Sequence, residues 1–185
     1  MSGQTPSQTA GPFFGHGLAA RQYGYDHTQI ADGALVGPGD AARIRVTGIL
    51  YDGEGVPIRD ALVEIWQADG QGRYGADGFR GFGRVGTGTS DDGAFAFETI
   101  KPGRNGGAAP FLSVIVSMRG LLSHVYTRAY FDDEAAANAE DAVLSDVAIL
   151  RRRTLMARRV DGAAPPTYRF DIRMQGDDET VFFDA

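Results

Sequence analysis

Apolar and polar residues alternate along several short runs of this chain, and a period of two predicts strands. Arg43–Leu50 (RIRVTGIL) sets Ile44, Val46 and Ile49 among polar neighbours. Ala61–Gln67 (ALVEIWQ) divides Leu62, Glu64 and Trp66 from Val63, Ile65 and Gln67. Ala94–Ile100 (AFAFETI) puts Phe95 and Phe97 on one face, and Lys101-Pro102-Gly103 ends that run because Pro cannot continue a central ladder. Leu112–Met118 and His124–Phe131, joined by the basic turn Arg119-Gly120, read as a hairpin at a sheet centre. Thr167–Met174 alternates strictly, and Thr180–Asp184 is expected to close the sheet.

Four stretches lack this period. Residues 1–18 are rich in Gly, Pro, Ser and Thr with Phe13 and Phe14 adjacent, which predicts an extended N-terminal arm docked through its aromatics. Residues 19–42 and Asp69–Gly88 read as loops, the second carrying Tyr74, Phe79 and Phe82. Asp132–Arg159 is Ala-rich without Pro or Gly, with Leu144, Val147, Leu150, Leu155 and Met156 near helical spacing, so one or two short helices are expected there. With about seven or eight short strands, the fold class is mainly β. The expectation is an antiparallel β-sandwich with a short helical excursion near 132–159, in one domain over 1–185.

Composition sharpens this. The 26 Gly punctuate β runs, as in DGEG (52–55) and DDG (91–93), which suits tight antiparallel turns. A formal charge of -6 argues against a nucleic-acid partner, which calls for a basic stripe. With no Cys, disulfides, thiolate metal sites and Cys nucleophiles are excluded. The first residues show no basic, apolar leader, and no run approaches a membrane span of roughly 20 apolar residues, so a cytoplasmic protein is expected.

No complete catalytic set is visible. There is no GxSxG, no H-x-x-x-H or H-x-H, and the three His are scattered at 16, 27 and 124. The acidic pairs Asp91-Asp92, Asp132-Asp133 and Asp177-Asp178 sit at turns and read as turn formers and caps. His124 opens an apolar run and reads as structural, and the RRR (151–153) and RR (158–159) runs as solvated faces or partners of acids.

Several runs together resemble the intradiol ring-cleaving dioxygenases. They are TPSQTAGPFF (5–14), GILYDGEGVPIRDALVEIWQADGQGRY (48–74), TIKPG (99–103), TRAYFDDE (127–134), YRFDIRMQG (168–176) and ETVFFD (179–184). The family holds a ferric ion with two Tyr and two His, hard phenolates stabilising Fe(III) and imidazoles completing the set. Matched onto this chain, the first Tyr is Tyr74. The element Lys101–Gly106 lacks the second, and Phe111-Leu112-Ser113 stands where the His pair belongs. The resemblance therefore implies that this chain's metal set is empty, so metal ligands here are none. Fe(III) is expected on a homologous β subunit of a hetero-oligomer, with protocatechuate (3,4-dihydroxybenzoate) and O2 as substrates. The positions that would complete the partner's substrate pocket are Thr9, Gly11, Pro12 and Arg119. Arg119 is a fixed cation for an anionic substrate and its intermediates, and Gly11-Pro12 is backbone close to the ring. Phe13-Phe14 would anchor the arm, and the interface would cover some of Phe79, Phe82, Phe182 and Phe183. Two other readings stand beside this one: a non-enzymatic β-sandwich binding module, and a self-sufficient dioxygenase with relocated ligands.

Overall fold

The structure, a computed structural model, describes Gly3 and residues 6–184; the parts of the expected arm at 1, 2, 4 and 5, and residue 185, lie outside the described residues. Nine strands form one curled sheet: β1 Arg43–Tyr51, β2 Leu62–Trp66, β3 Phe82–Gly86, β4 Ala94–Ile100, β5 Phe111–Ser117, β6 Val125–Phe131, β7 Met156–Val160, β8 Thr167–Arg169 and β9 Ile172–Arg173. The spatial order is β3-β2-β5-β6-β7-β8-β1-β4, with β9 paired to β1. The mainly β class stands, but the sheet is mixed rather than purely antiparallel. β1 pairs in parallel with β8 and β9, and β6 with β7.

The two outer strands are tied together by a segment expected to be plain loop. The carbonyl of Asp32 accepts from Arg84 N of β3 at 3.1 Å, and that of Gly33 from Glu98 N of β4 at 2.7 Å. The segment thus occupies backbone groups at Arg84 and Glu98 on the two sheet edges, which shields those edges in part from unwanted pairing. Inside the curl lies the main core, built from the inward set of each strand: Val46 and Leu50, Val63 and Ile65, Phe95 and Phe97, Leu112, Val114 and Val116. At roughly 25 cal/mol per Å², each such side chain contributes about 1.5–3 kcal/mol. This burial makes the sheet stable despite its short strands.

Several elements differ from expectation. The Asp69–Gly88 loop contains β3, in which Gly83 shares the buried face with Val85 and Gly86 ends the strand. A Cβ on Gly83 would come within 2.6 Å of Leu35 Cδ1, and one on Gly86 within 2.1 Å of the Tyr23 hydroxyl, so packing demands Gly. The 132–159 excursion holds helices α2 (Ala135–Glu140) and α3 (Ala142–Asp146) and a 3-10 turn at Arg152–Leu155, but Met156 already belongs to β7. Asp141 caps α3 by accepting from Leu144 N at 2.8 Å. Thr167–Met174 breaks into β8 and β9, and the closing run supplies only a bridge, Phe183 to Tyr126. The arm is not fully extended either: Phe14–Leu18 is one helical turn, α1, with His16 stacked on Tyr23 at 4.2 Å.

The excursion covers a second, smaller core of Ala109, Tyr130, Ala137, Leu144 and Leu155. The acidic pairs do serve local structure. Asp92 accepts from Ala94 N at 3.0 Å, Asp132 from Arg159 N at 3.0 Å, and Asp178 pairs with Arg153. Of the basic runs, Arg151 and Arg152 donate to backbone carbonyls, while Arg153 and Arg159 meet carboxylates. Phe79, Phe82, Phe182 and Phe183, expected at an exposed surface, are half-buried; the exposed aromatics are Phe13, Phe14, Tyr25, Trp66 and Tyr74.

Candidate functional site

The β5–β6 hairpin carries a cleft at each end. At its turn, a cleft of about 450 Å³ is lined by Thr9, Gly11 and Phe14 of the arm and by Met118, Leu122 and His124 of the hairpin. Met118–Leu121 is the turn, closed by Leu121 N to the Met118 carbonyl at 3.4 Å. Gly120 holds φ +90°, a left-handed value that a side chain resists. This backbone aims the Gly120 N–H at Thr9 Oγ1, 2.9 Å away, and the Thr9 hydroxyl donates to the Met118 carbonyl at 3.4 Å. The arm then turns at Gly11–Phe14, closed by Phe14 N to the Gly11 carbonyl at 3.0 Å. Pro12 takes the second position, where its fixed φ fits.

Thr9 and Gly11 therefore meet the hairpin turn that carries Arg119. Pro12 is exposed and does not line the cleft. The Arg119 guanidinium leans away from the arm and pairs with Asp60, while remaining 63% exposed. A surface pair of this kind is worth roughly 0–1 kcal/mol, so a better anionic partner can draw the guanidinium off. His124, read as structural, lies just before β6. It is exposed on this cleft, its Nε2 2.5 Å from the Tyr126 hydroxyl and the two rings edge to face.

At the other end of the hairpin, a cleft of about 510 Å³ is lined by Tyr74, Gly107, Ala108, Phe111, Arg128 and Glu140 among others. An Asx turn sets up Tyr74: the Asp69 carboxylate accepts from Gln71 N, Arg73 N and Arg73 Nε, each at 2.9 Å. The bond from the Arg73 backbone is the main cause that holds the Asp69 carboxyl below its ordinary value. Tyr74 then stacks on Trp66 at 5.9 Å. Burial pushes its phenol above the ordinary range, and the Arg128 charge pulls it part of the way back. Arg128 lies over the Phe111 ring at 4.3 Å and near that of Phe183 at 5.8 Å. Its Nη1 donates to the Tyr130 hydroxyl at 3.2 Å, which donates to Asp141 at 3.1 Å. Burial pushes the Tyr130 phenol up to about 12, so it stays a proton donor at neutral pH.

The family's iron positions fall around this second cleft, and the residues do not fit a ferric ion. Tyr74 is a suitable donor, but Phe111 offers a hydrocarbon ring and Lys101–Gly106 no phenol. Among the described residues, no three His, Asp or Glu side chains converge on one point. Arg128 adds a fixed positive charge, which opposes a second cation at this range. Sequence reasoning passed over Arg128. Its signal was a lone cation on the half-buried side of an otherwise apolar and hydroxylic strand, opposite Ser113.

A curled mixed sheet with a helical excursion and these two clefts defines the class. Residues 9–176 match the Dioxygenase family model. The chain belongs to the intradiol dioxygenase family. Within it, the chain is a homologue of protocatechuate 3,4-dioxygenase alpha chains. It is 50% identical over 192 residues to the alpha chain of Burkholderia cepacia, covering 98% of both. To the alpha chain of Pseudomonas putida it is 41% identical over 194 residues, covering 98% of this chain and 96% of that one. To the Burkholderia cepacia beta chain it is 38% identical over 88 residues, covering 42% of this chain and 37% of that one. The dioxygenase domain of a dioxygenase carbohydrate-binding protein fusion from Streptomyces sp. SirexAA-E shares the fold, with a TM-score of 0.65 at 21% identity over 96% of this chain and all of that one. Among the described residues, no helix is long and apolar enough to cross a membrane.

Proposed function

We infer that this chain is the iron-free, α-type subunit of a protocatechuate 3,4-dioxygenase, acting in the cytoplasm as one domain beside a homologous β subunit. The assembly opens the ring of 3,4-dihydroxybenzoate with O2 between the two hydroxyl-bearing carbons, giving 3-carboxy-cis,cis-muconate. The partner's Fe(III) supplies the metal chemistry. This chain supplies the rim of the pocket: Thr9, Gly11 and Pro12 beside the ring, and Arg119 as the cation for the substrate's negative charge.

The observation that carries this reading is the bond from Gly120 N to Thr9 Oγ1, which seats the arm on the turn bearing Arg119. Residues far apart in sequence, named as pocket positions by resemblance, thereby come to one edge of the molecule. Phe13, 77% exposed beside them, finds little cover among the described residues and suits an anchor in a partner. Arg119 acts by charge and geometry. Its guanidinium leaves the weak pair with Asp60, makes charge-assisted bonds to the anionic substrate, and strengthens them as charge develops.

The test uses the complex with an iron-bearing β subunit. Arg119→Ala is expected to lower turnover about 10²-fold with iron content unchanged. Unaltered kinetics would take Arg119 out of the site. Full turnover with Fe(III)–phenolate absorption from this chain alone would overturn the iron-free assignment.

A further inference from the structure

The cleft at the open end of the hairpin has a ligand chemistry of its own. Its cation, Arg128, forms no ion pair among the described residues. One nitrogen is held by the Tyr130 hydroxyl, and the guanidinium carbon lies 4.3 Å over the Phe111 ring, so the guanidinium is oriented before any ligand arrives. The neighbouring acids are otherwise engaged. Glu140 is paired with Arg104 at 2.8 Å. Asp141 is 1% exposed and saturated by Ala109 N, Leu144 N and the Tyr130 hydroxyl. Across the cleft stands the Tyr74 ring, stacked on Trp66 and 39% exposed.

We propose that this cleft is a metal-independent binding site for an aromatic carboxylate, with the carboxylate on Arg128 and the ring against Tyr74 and Phe111. A planar guanidinium matches a carboxylate in two parallel bonds, and the flanking rings favour a flat ring over an aliphatic one. The site replaces the metal of its iron-bearing relatives with a fixed organic cation, so it binds the anion and does no oxidation. It uses no residue of the arm or the turn, and stands or falls apart from the pocket reading above.

The probe is 4-fluorobenzoate, followed by 19F NMR on the full chain. Saturable binding of one molecule per chain is expected. On the unaltered protein, the neutral 4-fluorobenzamide should bind at least about tenfold more weakly, as should 4-fluorobenzoate to Arg128→Gln. Tyr74→Ala should weaken it several-fold, and cyclohexanecarboxylate should compete poorly. The absence of saturation, equal affinity for the amide, or full affinity in a folded Arg128→Gln would overturn the proposal. The amide comparison needs no variant, so a folding failure cannot shelter it.

Discussion

Thr9→Val removes one oxygen, keeps the side-chain shape, and tests whether the arm is seated by the turn. In the structure that oxygen accepts from Gly120 N at 2.9 Å and donates to the Met118 carbonyl at 3.4 Å. Both groups are exposed, so the loss falls at the low end of the usual range, roughly 0.5 kcal/mol for each bond and about 1 kcal/mol together. At 1.4 kcal/mol per factor of ten, the docked arm becomes about fivefold less populated relative to the detached one. The first assay is amide hydrogen exchange at Gly120, whose N–H this bond protects; exchange there should quicken about fivefold while that of Val114 in the strand core stays fixed. In the complex, kcat/KM for 3,4-dihydroxybenzoate should fall by a similar factor, because only the docked arm offers Gly11 and Pro12. Unchanged exchange and unchanged kinetics would refute the idea that this bond holds the arm. Faster exchange with unchanged kinetics would leave the bond standing and remove the arm from the pocket.

Two further outcomes concern the frame. Gly48→Ala should cost about 3 kcal/mol, read in a denaturant melt, because its Cβ would lie 1.8 Å from the Phe170 carbonyl oxygen and 2.8 Å from the Phe95 ring; an undiminished midpoint would mean that β1 and the β8–β9 break can part cheaply. Asp69→Ala should lower Tm at neutral pH, and the gap to the parent should close as pH falls below about 3.9, since a carboxylate with a depressed folded pKa stabilises above its unfolded value and ceases to do so as it protonates; a gap constant down to pH about 2 would refute the charge-based account of the turn beneath Tyr74.

What the sequence disclosed depended on how local the cause was. β1, β2, β4, β5 and β6 were legible because each buries one face, and burial writes its period into the chain. β3 was not, because Gly83 and Gly86 are required by Leu35, Phe97 and Tyr23, residues whose approach no local pattern announces. β7 was hidden for a related reason. Leu155 and Met156 carry a helical spacing, and pairing with distant strands makes that stretch a strand, Met156 and Ala157 in parallel with Tyr130 and Phe131, and Arg158–Val160 antiparallel with β8. The pocket positions came from resemblance, and the period of the chain says nothing of them. Thr9 and Gly120 are over a hundred residues apart, and no periodicity links them.

The hairpin explains how one chain can keep two unlike clefts. From Phe111 to Ser117 the strand runs about 20 Å at its ordinary rise per residue. Along it, Leu112, Val114 and Val116 are locked in the main core, while Phe111, Ser113 and Ser117 face the other way. A change on that second face leaves the main-core set in place, although Phe111 itself packs against the smaller core. This freedom lets the ends diverge. The open end can exchange metal donors for Phe111 and a stacked Arg128 without disturbing the strand register, and the turn end keeps Gly120 for the arm, with Arg119 beside it paired to Asp60. On the function proposed above, loss of the metal donors and retention of the pocket rim are then independent changes on one rigid element, and a chain can cease to bind iron while still shaping a site that depends on it.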